Sequence, residues 1–269
     1  MSAKINQGNV ILEARDLVKQ YTQRSGRFGL GHVKIKALDH VSVALKKGST
    51  LAVVGESGSG KSTLARCLLQ LHPFDSGEVL FKGKSLSNLD GKELRKIRKD
   101  LQMVFQDPFA SLNPRMRVGE IVREGLLVHG VGSQETQLQA VHEILARVGL
   151  SADDAKKYPH QFSGGQRQRI GIARALVLKP EVIICDEPVS ALDVSVQAQI
   201  LLLLKELQKE MQLSYVFITH DLRVVRHIAD EMVVMYKGKI VERGAVDAIY
   251  QSPQQVYTQD LLKAIPGQK

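Results

Sequence analysis

The stretch Gly55-Glu56-Ser57-Gly58-Ser59-Gly60-Lys61-Ser62 constrains this chain more than any other feature. It fills every fixed position of G-x-x-x-x-G-K-[ST], the pattern of a phosphate-cradling loop. Before it, Leu51-Ala52-Val53-Val54 is a continuous apolar run, the signature of a strand buried on both faces. After it, Thr63 to Leu69 reads as a helix that opens where the loop ends. The glycines let backbone N–H groups close around a polyphosphate, and the helix N-terminus adds positive partial charge. Lys61 reaches β/γ oxygens and the Ser62 hydroxyl can ligate Mg²⁺, so strand, loop and helix together imply a nucleoside triphosphate site.

The 269 residues suffice for one large domain or two small ones. No apolar run reaches the length needed to span a bilayer, and no charged-then-apolar leader is visible, so a cytoplasmic chain is expected. The two cysteines, Cys67 and Cys185, lie in apolar segments outside any CxxC or Cys/His cluster, which predicts buried, reduced thiols. A net charge of +9 fits nucleic acid, an anionic membrane surface or a solvated surface equally well. Basic residues are scattered except for Lys92–Lys99 and a loose group at Lys19, Arg24, Arg27, Lys34 and Lys36.

Strands are predicted over Val10–Val18, Leu38–Leu45 and Glu78–Phe81, with a glycine- and arginine-rich loop from Gln23 to about Gly31. They do not alternate with helices, which predicts an antiparallel β layer on an α/β core. Gly91–Lys99 reads as a basic helix and Leu101–Phe105 as a core strand. Two helices over Gly119–His129 and Glu135–Val148 belong to no βαβ unit and predict an inserted helical subdomain. The core resumes with a helix over Gly165–Leu178, a strand ending at Asp186, a helix over Val196–Met211 and a strand over Ser214–Ile218. A helix over Asp221–Ile228, a hairpin of Met232–Met235 with Ile240–Glu242, and a last helix near Tyr257–Ala264 follow.

Val182-Ile183-Ile184-Cys185 is apolar throughout and ends in Asp186-Glu187. A carboxylate at such a strand end helps to hold Mg²⁺ in phosphate-loop enzymes, which is the role Asp186 fits. Glu187, one residue on, should project differently, toward the γ-phosphate, where it could act as general base on water. Ser163-Gly164-Gly165-Gln166 opens a helix and could form a second anion-binding N-terminus; on these four residues alone, an ordinary N-cap with a glycine turn fits as well.

Taken in order, the phosphate loop, Gln106, Phe162-Ser163-Gly164-Gly165-Gln166, Asp186-Glu187, Ser190-Ala191-Leu192-Asp193 and His220 have the spacing of an ABC-type ATPase domain, and the chain resembles that family over nearly its whole length. The resemblance implies an ABC-type P-loop ATPase: an α/β, RecA-like core with an antiparallel β subdomain and an inserted helical subdomain. One ATPase domain would run from 10 to 262, with core and β subdomain at 10–108 and 162–245, a helical subdomain at about 109–161 and a C-terminal extension at 246–269. ATP would lie between two such domains arranged head to tail, in contact with Gly55, Glu56, Ser57, Gly58, Ser59, Gly60, Lys61, Ser62 and Thr63 of one. The other would supply Ser163, Gly164, Gly165 and Gln166, with Asp193 at the dimer contact. Gln106 would contact Mg²⁺ and the attacking water, and His220 the γ-phosphate. Tyr21 matches the aromatic that stacks on adenine in the family, although a tyrosine packed at a strand end is an alternative.

Phe162, Cys185 and Val189 depart from the commonest family residues, and none of them removes a phosphate, metal or water ligand. Gln106-Asp107-Pro108 continuing as Ser111-Leu112-Asn113-Pro114-Arg115, Tyr158-Pro159-His160-Gln161, and the closing Ser252-Pro253, Tyr257-Thr258 and Leu261-Leu262 resemble the ATPase subunits of bacterial oligopeptide, dipeptide and nickel importers. That subfamily implies a peripheral protein on the cytoplasmic face of the inner membrane. It would have a second ATPase subunit, more often a paralogue than itself, two membrane permeases and, indirectly, an extracytoplasmic solute-binding protein. With no cysteine after Cys185, no iron–sulfur cluster is expected. A soluble ABC ATPase, in a phosphonate-degrading complex or in nucleic-acid maintenance, is the alternative. Long heptads, zinc motifs and a concentrated basic arm are absent, so a nucleic-acid partner is not expected.

Overall fold

The computed structural model describes residues 9–25, 31–87 and 89–265. They fall into two compact units, one of the described residues up to 89 together with those from 216 on, the other of residues 90–215.

The first unit begins with long strands β1 (Val10–Ser25) and β2 (Gly31–Lys46), followed by β3 (Thr50–Val54), α1 (Lys61–Leu68), β4 (Ser76–Phe81) and β5 (Lys84–Ser85). β2, β1, β4 and β5 lie side by side in that order as an antiparallel sheet, the expected β layer. Both long strands extend further than predicted, with pairing from Tyr21–Ile35 out to Ser25–Gly31. Alternation could not reveal this extension, because residues 21, 22 and 33–36 are all exposed, Val33 and Ile35 among them. Of the predicted Gln23–Gly31 loop, residues 26–30, Arg27 among them, lie outside the described residues.

β3 is buried at every position, as its unbroken apolar run requires, and pairs in parallel with β9 (Glu231–Tyr236). β9 in turn forms an antiparallel hairpin with β10 (Lys239–Ala245). Helices α8 (Leu222–Ile228), α9 (Val246–Gln251) and α10 (Val256–Lys263) complete this unit. Its core joins Ala52 and Val54 of β3 to Leu222 and Val225 of α8, Met232 and Val234 of β9, Val246 and Ile249 of α9, and Leu262 of α10. Residues 246–265, expected as an extension, therefore bury part of the strand that leads into the phosphate loop. The sequence reading did not find α9, whose six residues are too few to show a period.

The second unit runs through α2 (Gly91–Arg98), β6 (Leu101–Val104), α3 (Pro108–Ser111), α4 (Val118–His129), α5 (Gln134–Arg147), α6 (Gly164–Leu176), β7 (Val182–Asp186) and α7 (Val194–Met211). β8 (Ser214–Thr219) carries the chain back to the first unit. The compact division groups the two helices expected as an insertion, α4 and α5, with the parallel pair β6–β7 and with α6 and α7. α7 buries Ile200, Leu201, Leu203, Leu204 and Leu207, a stripe at helical spacing, and leaves Leu202 on the opposite face 64% exposed. Cys67 and Cys185 are buried free thiols, and burial pushes the Cys67 thiol up to about 11.

Candidate functional site

In the first unit, the segment from Gly55 to Gly60 joins β3 to α1 without regular structure. Gly60 is the N-cap of α1, in the left-handed region with φ of 108°. A Cβ at Gly60 would lie 2.3 Å from the carbonyl oxygen of Ala37, so both the conformation and the space require glycine. A glycine cap has no side chain to accept from the helix's first N–H groups, and the first turn carries no acid. The positive end of α1 thus faces the loop. Lys61 is buried, and its Nζ donates to the carbonyl oxygens of Gly55 at 2.7 Å and Glu56 at 2.8 Å. The Ser59 hydroxyl is buried with no hydrogen-bond partner among the described residues. A buried donor with no protein acceptor and an ammonium held by loop carbonyls are groups that a phosphate oxygen can satisfy.

Two other expected residues belong to this unit. Tyr21 lies within β1; its hydroxyl is 3.2 Å from His72 Nδ1, and the Lys19 ammonium lies 5.4 Å from its ring centroid. His220 is exposed where β8 ends, in a cleft of about 320 Å³ that Leu261 and Ile265 also line. Asp221 next to it caps α8 by accepting from the Arg223 N–H at 2.9 Å. Hydrogen bonding and ion pairing with the Arg223 side chain hold its carboxyl below the usual range.

The second unit holds the remaining candidates. Asp186 ends β7 and is buried. Glu187 adopts φ of 48°, a left-handed conformation that is uncommon for a residue with a side chain. This turn takes Glu187 out of the strand's alternation. Its Oε2 accepts from Gln106 Nε2 at 3.0 Å, so two residues 81 positions apart in sequence meet.

Ser163 is the N-cap of α6 in a reciprocal capping box, with the Gln166 N–H donating to its Oγ at 3.3 Å and its own N–H donating to Gln166 Oε1 at 3.0 Å. A Cβ on Gly165 would come 2.5 Å from Val196 Cγ1, and one on Gly164 3.4 Å from Leu192. The glycines thus let the start of α6 pack closely on the start of α7. Asp193 is the α7 N-cap; the Val196 N–H and then the Ser195 hydroxyl, both donating to it, lower its pKa.

Sequence reasoning missed the arginines that organise the segment after Gln106. Arg174 Nη1 donates to the Ser111 carbonyl at 2.5 Å, and its guanidinium lies 5.6 Å from the Phe105 ring centroid. Arg167 stacks 4.0 Å from the Phe109 ring centroid. The spacing of seven residues on one helix was a legible signal, since it places both arginines on one face of α6. Phe109 is 58% exposed and Phe105 41%, so the segment presents two aromatic side chains to the surface.

A G-x-x-x-x-G-K-[ST] loop joining a fully buried strand to an uncapped helix start is the arrangement of a P-loop protein. The family described as ABC transporter matches residues 38–190. The oligopeptide transport ATP-binding protein AppF of Bacillus subtilis is 54% identical over 257 residues, covering 95% of this chain and 78% of that protein. The dipeptide transport ATP-binding protein DppF of Escherichia coli is 51% identical over 256 residues, covering 95% and 76%. Among solved structures, the dimeric ATP-binding cassette MJ0796 bound to ADP and Pi is similar, with a TM-score of 0.76 and 32% identity over 88% of this chain and 99% of that one.

The chain belongs to the ABC transporter family. Its fold is that of the ATPase cassette, and its reaction is ATP hydrolysis. No helix among the described residues is long and apolar enough to cross a membrane.

Proposed function

We propose that this chain is the energy-coupling ATPase of a bacterial importer for peptides or a related small solute, working peripherally on the cytoplasmic membrane face. The observation that carries this reading is identity above 50% with two peptide-transport ATP-binding proteins over 95% of the chain. A glutathione import ATP-binding protein of Salmonella typhi, 48% identical over 260 residues, also favours import over a soluble role. The partners would be a second, paralogous ATPase subunit and two permeases, fed by a solute-binding protein. The exposed Phe105 and Phe109, braced by Arg174 and Arg167, offer a shaped aromatic surface for a permease helix. In this reading residues 10–262 act as one ATPase domain, with the helical region at about 109–161 turned toward the permease.

The site residues are assigned as follows. Tyr21 stacks on adenine, and Gly55–Thr63 wrap the phosphates. Lys61 exchanges the loop carbonyls for phosphate oxygens. Ser62, Gln106 and Asp186 are oxygen donors, the donor type Mg²⁺ prefers, and would hold that ion together with the substrate's own phosphates. When bound, Mg²⁺ neutralises phosphate charge. Glu187 takes the proton of the water that attacks the γ-phosphorus as the bond to the bridging oxygen breaks and ADP leaves; Gln106 orients Glu187 and His220 contacts the γ-phosphate. Ser163–Gln166 close on the partner's nucleotide with Asp193 beside them. The preformed capping box favours that role, because it gives a rigid helix start that needs no ordering on contact.

Two measurements test the proposal. Protein purified through a tag from its own cells should co-isolate two membrane permeases; recovery without any permease would reject the import reading. Glu187→Gln should keep ATP affinity and slow hydrolysis by ~10²–10⁴-fold, the scale of a lost general base. Undiminished turnover would remove Glu187 from that role.

A further inference from the structure

The closing stretch of the chain is placed against the phosphate loop by a contact that the assignments above do not use. The Glu56 backbone N–H donates to the Tyr257 hydroxyl at 3.1 Å, across 201 residues of sequence. Tyr257 lies in the first turn of α10, and its ring packs on Tyr236 at the end of β9, with centroids 4.3 Å apart. The helix is anchored independently, by buried Leu262 in the core that also contains Ala52 and Val54 of β3. Both ends of the contact are therefore held: the hydroxyl by a packed ring on an anchored helix, the N–H by its position immediately after Gly55.

We propose that Tyr257 is a positioning residue for the phosphate loop, fixing its first turn through the Glu56 N–H; the proposal rests on the reading of Gly55–Ser62 as the ATP site. The geometry supplies the reason. The backbone of Glu56 is held on both sides of its Cα, its carbonyl by Lys61 Nζ and its N–H by Tyr257. Lys61 must release that carbonyl to reach phosphate oxygens, and the hold on the N–H then keeps the loop's entry in place. Burial raises the pKa of the Tyr257 hydroxyl, which therefore stays protonated at neutral pH and can donate its own hydrogen while its oxygen accepts. A loop held in shape before ATP arrives loses less freedom on binding, so the contribution falls on affinity rather than on the chemical step.

Tyr257→Phe keeps the ring and its packing on Tyr236 and removes only the hydroxyl. In the full chain assembled with its native partner subunits, it should raise the KM for MgATP about 3–10-fold, the scale of one net hydrogen bond, with kcat and melting temperature unchanged. Tyr250→Phe is the comparison. It removes a hydroxyl hydrogen bond to the Leu222 carbonyl from the neighbouring α9, away from the loop, and should leave KM unchanged. An unchanged KM in Tyr257→Phe, with or without a lower melting temperature, overturns the proposal, as does an equal rise in both variants. Lys61→Ala separates this failure from that of the loop reading. If it abolishes MgATP binding while Tyr257→Phe binds normally, only the role of Tyr257 falls; if it binds MgATP normally, the loop reading falls as well.

Discussion

Two helices of this chain start on glycine-rich segments, α1 after Gly55–Gly60 and α6 at Ser163–Gly165, yet the glycines serve opposite ends. At α1 the N-cap is glycine itself, the first turn holds no acid and the Lys61 ammonium lies on the loop carbonyls, an arrangement an anion can complete. At α6 a serine and a glutamine satisfy the helix start reciprocally, and the glycines admit Val196 and Leu192 of the next structural layer. In the proposed reading, one is a receptor whose hydrogen bonding a ligand completes. The other is finished within the monomer and offers a rigid surface. Glycine richness alone does not distinguish these; what each missing Cβ makes room for does.

The largest expected difference comes from adding a methyl group at each site. Gly60→Ala forces an alanine into φ of 108° and against a backbone carbonyl that cannot rotate away. It should cost about 2–4 kcal/mol by chemical denaturation, and ATP binding with it. Gly165→Ala meets a side-chain methyl, Val196 Cγ1, and no backbone, and should cost about 1–2 kcal/mol. In a Val196→Ala background the Gly165→Ala cost should largely vanish, a coupling that a double-mutant cycle reads directly. If Gly60→Ala proved as mild as Gly165→Ala, the contrast between receptor and surface would break.

The smallest effect sharpens the same comparison at α7, whose cap is a carboxylate. The folded-state pKa of Asp193 lies below its usual value of 3.8, so ionised Asp193 adds stability above the unfolded value. That contribution is lost as pH falls through the lower folded value. Asp193→Asn can still cap the helix and removes only the charge. Its melting temperature should therefore sit slightly below that of the parent at pH 7 and converge with it in acid below pH 3.8. A gap that stays constant with pH would show that the charge contributes nothing to the cap.

Much of the fold was legible because local signals are strong where strands are fully buried. The apolar runs at Leu51–Val54 and Val182–Cys185 could be little else than core strands, and α4, α5 and α7 showed their periods to within a residue or two. The outer reach of the β1–β2 hairpin was not legible, because its exposed residues 21, 22 and 33–36 are held by pairing and not by burial. The Ser163 tetrapeptide was readable as a cap or as an anion site; the hydrogen bonds show a capping box, which leaves the proposed contact with a partner's nucleotide open to test.

By itself, the sequence determined the phosphate loop, the order of the motifs and the strand that ends in two carboxylates, since each of these lies within a few consecutive residues. Only the tertiary structure decided that Glu187 turns left-handed beside Gln106, that Gly165 is glycine because of Val196, and that Tyr257 closes on Glu56. Those pairs are separated by 81, 31 and 201 positions. No periodicity links residues so far apart, because nothing in their local propensities depends on one another; packing of the intervening chain brings them into contact.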